Sequence, residues 1–146
     1  MKLRQFSRGA GSIARAPGLV ATGASVVGGA LLAGSGYLHY HLWQSLGYRH
    51  IPIIGTLFVL QAITGVVLAL VVVAVRRAWA ALLGAGFSAS TVAGLVISID
   101  HGLFGFRDSW SAPFARETFV IELGAVLLLA GSAALWLFAP STSSPH

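Results

Sequence analysis

The stretch IPIIGTLFVLQAITGVVLALVVVAV (residues 51–75), followed by RR (76–77) and AWAALLGAGFSASTVAGLVISI (78–99), decides the fold. Both apolar runs hold roughly 20–25 residues, enough at about 1.5 Å per residue to cross a hydrocarbon core of about 30 Å. Inside lipid a backbone has to satisfy its own N–H and C=O groups, and a helix does so segment by segment. A membrane-spanning β-strand would be about half as long and would alternate polar with apolar residues. The two runs therefore read as transmembrane helices. With only Arg76-Arg77-Ala78 to join them, they are expected to form a tight antiparallel pair.

Working outward, two further apolar stretches have the same length, residues 18–41 and 114–139. The reading is an all-α protein, a single four-helix transmembrane bundle over residues 1–146, with helices at about 18–41, 51–75, 78–99 and 114–139. Composition agrees: 56% of residues are hydrophobic and 9% charged, against roughly 25% charged in a soluble domain. Too few charges remain to cover a surface in water, so the bilayer is the solvent. The net charge of +5 then reflects topology rather than nucleic acid, which is not an expected partner.

The first span carries a second possibility. Lys2, Arg4, Arg8 and Arg15 precede an apolar run, and Ala33-Gly34-Ser35 resembles the small-residue site of a secretory signal. The run is long for a signal and continues into Tyr37, Leu38 and Trp43. A helix that stays in the protein is the preferred reading.

Orientation follows from the basic residues. Lys2, Arg4, Arg8, Arg15, Arg76 and Arg77 fall on one side, and Arg49, Arg107 and Arg116 on the other. The more basic side faces the cytoplasm, which places both termini inside and the long 100–113 loop outside, at the plasma membrane. Leu103, Phe104, Phe106, Trp110 and Phe114 give that loop enough apolar area to lie on the membrane surface.

Helices attract one another in lipid through close backbone approach. Small residues recur at every fourth position in Gly86, Ser90, Gly94 and Ser98, in Ser25, Gly29 and Ala33, and in Gly65 and Ala69 below Gln61. These stripes are expected to be inner seams. Gln61 is expected to make an interhelical hydrogen bond.

All four acids, Asp100, Asp108, Glu117 and Glu122, fall at the outer end, together with His39, His41, His50 and His101. Glu122 stands inside the fourth helix, where an ionisable side chain costs about 2.5–3.5 kcal/mol unless it is partnered. Arg49, Arg116, His101 and His39 are its expected partners. His39 and His41, two residues apart, point to opposite sides of their helix. One of them with His50, Asp100, His101 and Glu122 would make a divalent metal site of imidazole and carboxylate. Two facing imidazoles, His39 or His41 with His101, would suit a b-type haem. A proton site, a quinone or lipid-headgroup pocket, and a purely structural set with Arg49, Arg116, Glu117 and Gln61 remain open beside these.

There is no cysteine, and the one methionine is Met1, which excludes thiolate and thioether metal sites, disulfides and c-type haem attachment. No phosphate loop, nucleophile elbow or H-E-x-x-H motif is present. The reading is a non-catalytic binding or accessory membrane subunit, working within a larger complex or by self-association, with the metal- or haem-binding protein as its alternative. Transport would require the chain to dimerise, and it lacks inverted-repeat signs.

The run His41-Leu42-Trp43, then Gly47-Tyr48-Arg49-His50-Ile51-Pro52, then residues 54–62 resembles small multi-helix membrane proteins of high-GC actinobacteria. That resemblance covers the first two helices and their connection. It implies a plasma-membrane location and no particular activity.

Overall fold

The computed structural model describes residues 6–138, with side chains from residue 17 onward. Lys2, Arg4, the side chains of Arg8 and Arg15, and the tail from Ala139 to His146 lie outside the described residues. Four helices follow in order: α1 (Phe6–Ser45), α2 (Ile54–Val75), α3 (Ala78–Asp100) and α4 (Ala115–Phe138). All four are long and apolar enough to cross a membrane, α1 over Pro17–Ser45. The chain is an all-α, multipass membrane protein.

The first helix is longer than the expected 18–41 at both ends. Its 29-residue spanning part is about 44 Å long at 1.5 Å per residue, more than a hydrocarbon core needs, so it tilts or projects. Residues 33–35, the would-be cleavage site, lie inside α1.

Buried positions reveal the packing. Along α1 they include Ala21, Ser25, Gly28, Leu32, Ser35, His39 and Leu42, and along α4 Ala115, Thr118, Glu122, Ala125, Leu129 and Ser132. Both sets alternate steps of three and four, the spacing that keeps one face against a partner in a helix bundle. Opposite faces meet lipid through Leu60, Ile63, Val67 and Leu70 on α2 and Val120 and Leu127 on α4, all exposed.

Contact between α1 and α2 depends on glycine. A Cβ at Gly36 would stand 2.8 Å from the Ala62 carbonyl oxygen, and one at Gly65 would stand 3.0 Å from that of Leu32. Next to this crossing, Leu32, Ala69, Val72, Ala85, Ala125 and Leu129 form a dry core drawn from all four helices.

Two expectations fail here. α1 packs closely on α2 and α4, and α3 on α4, but α2 and α3 touch far less. They are joined at the Arg76–Arg77 turn but share little contact along their length, so they are not a tight pair. The α3 seam is also not the Gly86 stripe. Its buried small residues are Ala80, Ala81, Gly84, Ala85, Ser88 and Ser98, so Ser98 alone of the expected stripe is buried, whereas Gly86 and Ser90 are exposed and a Cβ at Gly86 or Gly94 would meet nothing within 4 Å. Lipid sets no hydrophobic contrast between helix faces, so a small-residue stripe does not by itself tell inside from outside.

Both connections at the opposite end are ordered. Tyr48–His50 forms a short 3-10 turn that buries Tyr48 against Phe58 and Phe106 at ring separations of 4.7 and 5.8 Å. In the long loop, Leu103 and Phe106 pair across Phe104 (φ 51°) and Gly105 (φ 81°), the two positive-φ residues of a type I′ turn. The Arg107 side chain turns back to donate to the carbonyls of Ile99 and Asp100, placing its charge at the negative end of α3.

Gly36→Val should lower unfolding stability in bicelles by about 1–3 kcal/mol, the cost of overpacking a close contact, while Gly86→Leu should leave it unchanged. Equal stability of both variants would show that the α1–α2 crossing is looser than described.

Candidate functional site

Each helix sends one polar side chain to the same level, just beyond the dry core on the loop side. The Ser35 hydroxyl of α1 donates to Oε1 of Glu122 on α4. The Gln61 amide of α2 donates to the same oxygen at 3.2 Å and to the Thr91 hydroxyl of α3 at 2.7 Å. Thr91 in turn donates to the Phe87 carbonyl. Glu122 is 1% exposed and lies seven residues into α4, about 10 Å along its axis. Among the described residues no arginine reaches it; its hydrogen-bond partners are the Ser35 hydroxyl and the Gln61 amide, not the expected Arg49, Arg116, His101 or His39. Its second oxygen, Oε2, has no hydrogen-bond partner. Ser88 stands beside the carboxyl, with its own hydroxyl unpartnered.

His39 lies one turn above Ser35 and is the histidine that turns inward. Its Nδ1 is 2.9 Å from the Ser35 carbonyl oxygen. A carbonyl only accepts, so Nδ1 carries the proton, and in the neutral ring Nε2 is left as an acceptor. The ring tilts against Phe58 at 5.1 Å.

Above the polar level the sparse contact between α2 and α3 leaves a cavity of about 290 Å³. Gln61, Thr91, Thr118 and His39 line its depth, Phe58 and Leu95 its sides, and Tyr48, Phe106, Asp108 and Phe114 the loop end. Thr118 is buried, and its Oγ1 has no partner. Ser90, Gly94 and Ser98 form the α3 wall, so most of the stripe expected to pack against a helix faces a space instead.

The proposed ligand set does not converge. His41 packs on Tyr37 and Phe114, His50 accepts from Arg49 at 3.0 Å, and Asp100 and His101 are exposed at the end of α3. Among the described residues no three His, Asp or Glu side chains come together to hold a metal ion. His39 lines the cavity, whereas His101 is exposed at the end of α3 and does not line it. Arg116 and Glu117 are exposed at the start of α4.

Reading the sequence missed Ser35, Ser88, Thr91 and Thr118. Ser35 and Thr118 fall in the three-four alternation of their helices, which is the signal that marks them. No protein family, curated protein or solved structure matches the chain.

Asp108, in the loop, is half-buried at the mouth of the cavity. Burial pushes its carboxyl above the usual range, against a smaller downward pull from the Ser109 N–H. Burial also pushes the Tyr48 phenol up, as does the charge of Asp108. An acid whose folded pKa is raised favours the folded state at low pH, and that advantage is lost as pH rises through the folded value. Thermal stability in detergent should therefore fall as pH climbs out of the ordinary carboxylate range, and Asp108→Asn should flatten that fall. An unchanged slope in the variant would place the carboxyl in water.

Proposed function

We propose that this is a small multipass protein of the plasma membrane that works by binding rather than catalysis, with both termini in the cytoplasm. Its binding site is the cavity between α2 and α3, which this orientation puts in the outer half of the bilayer. The observation that carries the reading is Thr118: a buried hydroxyl with no partner, lining a cavity open between two helices. An unpaired buried polar group costs about 1–3 kcal/mol, a cost that a bound molecule removes. Beneath it, the Ser35–Glu122–Gln61–Thr91 chain makes a rigid polar floor. An accessory place in a larger membrane complex, or pairing with a second copy, belongs to the same proposal. The resemblance to actinobacterial membrane proteins supports the plasma membrane as its location.

Native extraction in mild detergent tests this. Organic extraction and mass spectrometry should find a lipophilic compound at about one per chain, and Gly94→Leu, which fills the cavity wall, should lose it. Protein that carries no such compound, or that carries stoichiometric iron or haem instead, would overturn the reading. A single cysteine at Ser109 should react with an impermeant thiol reagent on intact cells, and one at Ser143 should not; the reverse pattern would invert the orientation.

A further inference from the structure

Resting on that reading, we propose that the cavity's ligand is an uncharged lipid-soluble molecule with a flat hydroxylated head, of the quinol class, that enters sideways from the bilayer between α2 and α3.

Size sets the first limit. A cavity of about 150 Å³ accommodates benzene, and this one holds about 290 Å³. That admits a head of one or two fused rings and no long chain, so an apolar tail has to trail out. The way out exists: α2 and α3 touch far less than the other neighbouring helices, and the α3 wall beside Thr91 and Leu95 carries only Ser90 and Gly94, where a Cβ at Gly94 would meet nothing within 4 Å. Exposed Leu57 and Leu60 of α2 mark the surrounding surface as lipid-facing.

Lining chemistry sets the second. Tyr48, Phe58, Phe106 and Phe114 supply aromatic faces and edges, which favour a flat ring in offset or edge-on contact. Among the described residues no lysine or arginine lines the cavity, and the acid at its mouth is Asp108, so a phosphate headgroup would find no cation to bind it.

Hydrogen bonding sets the third. With Nδ1 committed to the Ser35 carbonyl, His39 offers an acceptor at Nε2. The Thr118 hydroxyl, which can accept or donate, is free. A head carrying hydroxyl groups satisfies both positions. A quinone carbonyl satisfies Thr118 alone, so the reduced form binds more tightly than the oxidised form.

The test uses full-length protein in lipid nanodiscs, titrated with a 1,4-naphthoquinol bearing a short isoprenoid tail and kept reduced. Bound ligand is quantified against protein-free discs. The expected result is saturable binding near one per chain, at least several-fold tighter for quinol than for quinone. Gly94→Leu should weaken it tenfold or more and Thr118→Val several-fold, and Gly86→Leu, on the same helix beside open space, should leave it unchanged. Binding that survives Gly94→Leu would overturn the site. Binding of tetraphenylphosphonium or phosphatidic acid in place of the quinol would overturn the ligand class. Absence of quinol binding, with a co-purified compound still lost in Gly94→Leu, would sink this inference while leaving the cavity a binding site; absence of both would sink the two together.

Discussion

The carboxyl of Glu122 is the constraint on which the rest of the bundle turns. It lies within a membrane-spanning helix, 1% exposed, and the groups that approach it are the Ser35 hydroxyl and the Gln61 amide. In hydrocarbon these polar groups have no water to fall back on, so each has to find the others. Gln61 passes the chain on to Thr91, so the four helices are tied at one level by side chains drawn from each. Apolar packing alone leaves helices in lipid free to rotate and slide. A polar tie of this kind fixes both motions, because any shift in register strands its donors.

Packing below and above that level differs as a result. At and below it, close approach of α1 and α2 at Gly36 and Gly65 and the Leu32–Val72–Leu129 core make a dry seam. Above it, the helices cannot all stay in contact. α1 holds both α2 and α4, α4 holds α3, and the α2–α3 side opens. The two loops close the top: Tyr48 and Phe106 meet edge to face over the gap, and the Asp108 N–H reaches the Ser98 carbonyl at 3.3 Å to keep the long loop on α3. A cavity with a polar floor, aromatic roof and one lipid-facing side follows from this arrangement.

Number, type and placement of the helices were legible because bilayer thickness imposes a length that few other structures share. Glu122 was legible as well, since an acid within an apolar run has to be explained. What remained hidden was which face of each helix looks inward. In water that face is apolar and stands out; here Ser35, Gly36 and Ser132 face inward while leucine and valine face lipid, so the contrast is reversed and faint. Reading every fourth residue selects Gly86, Ser90, Gly94 and Ser98, of which Ser98 is buried, whereas the three-four alternation leads to Ala81, Gly84, Ser88 and Thr91. Ser35 also suits the less favoured alternative of a cleavage site, because serine and alanine serve both purposes. Grouping the histidines by their end of the membrane was sound as far as it went. Proximity along the membrane normal does not bring side chains together, however, and only His39 joins the polar level.

The most direct test of this account is a double-mutant cycle on Gln61 and Glu122, using Gln61→Leu and Glu122→Leu singly and together, with unfolding free energy measured by steric trapping in bicelles. Residues joined in one hydrogen-bonded network show coupling of about 0.5–3 kcal/mol, and polar contacts between membrane helices average about 0.6 kcal/mol with a maximum near 1.7. The account predicts a favourable coupling within that range. Additive losses, with coupling indistinguishable from zero, would contradict it.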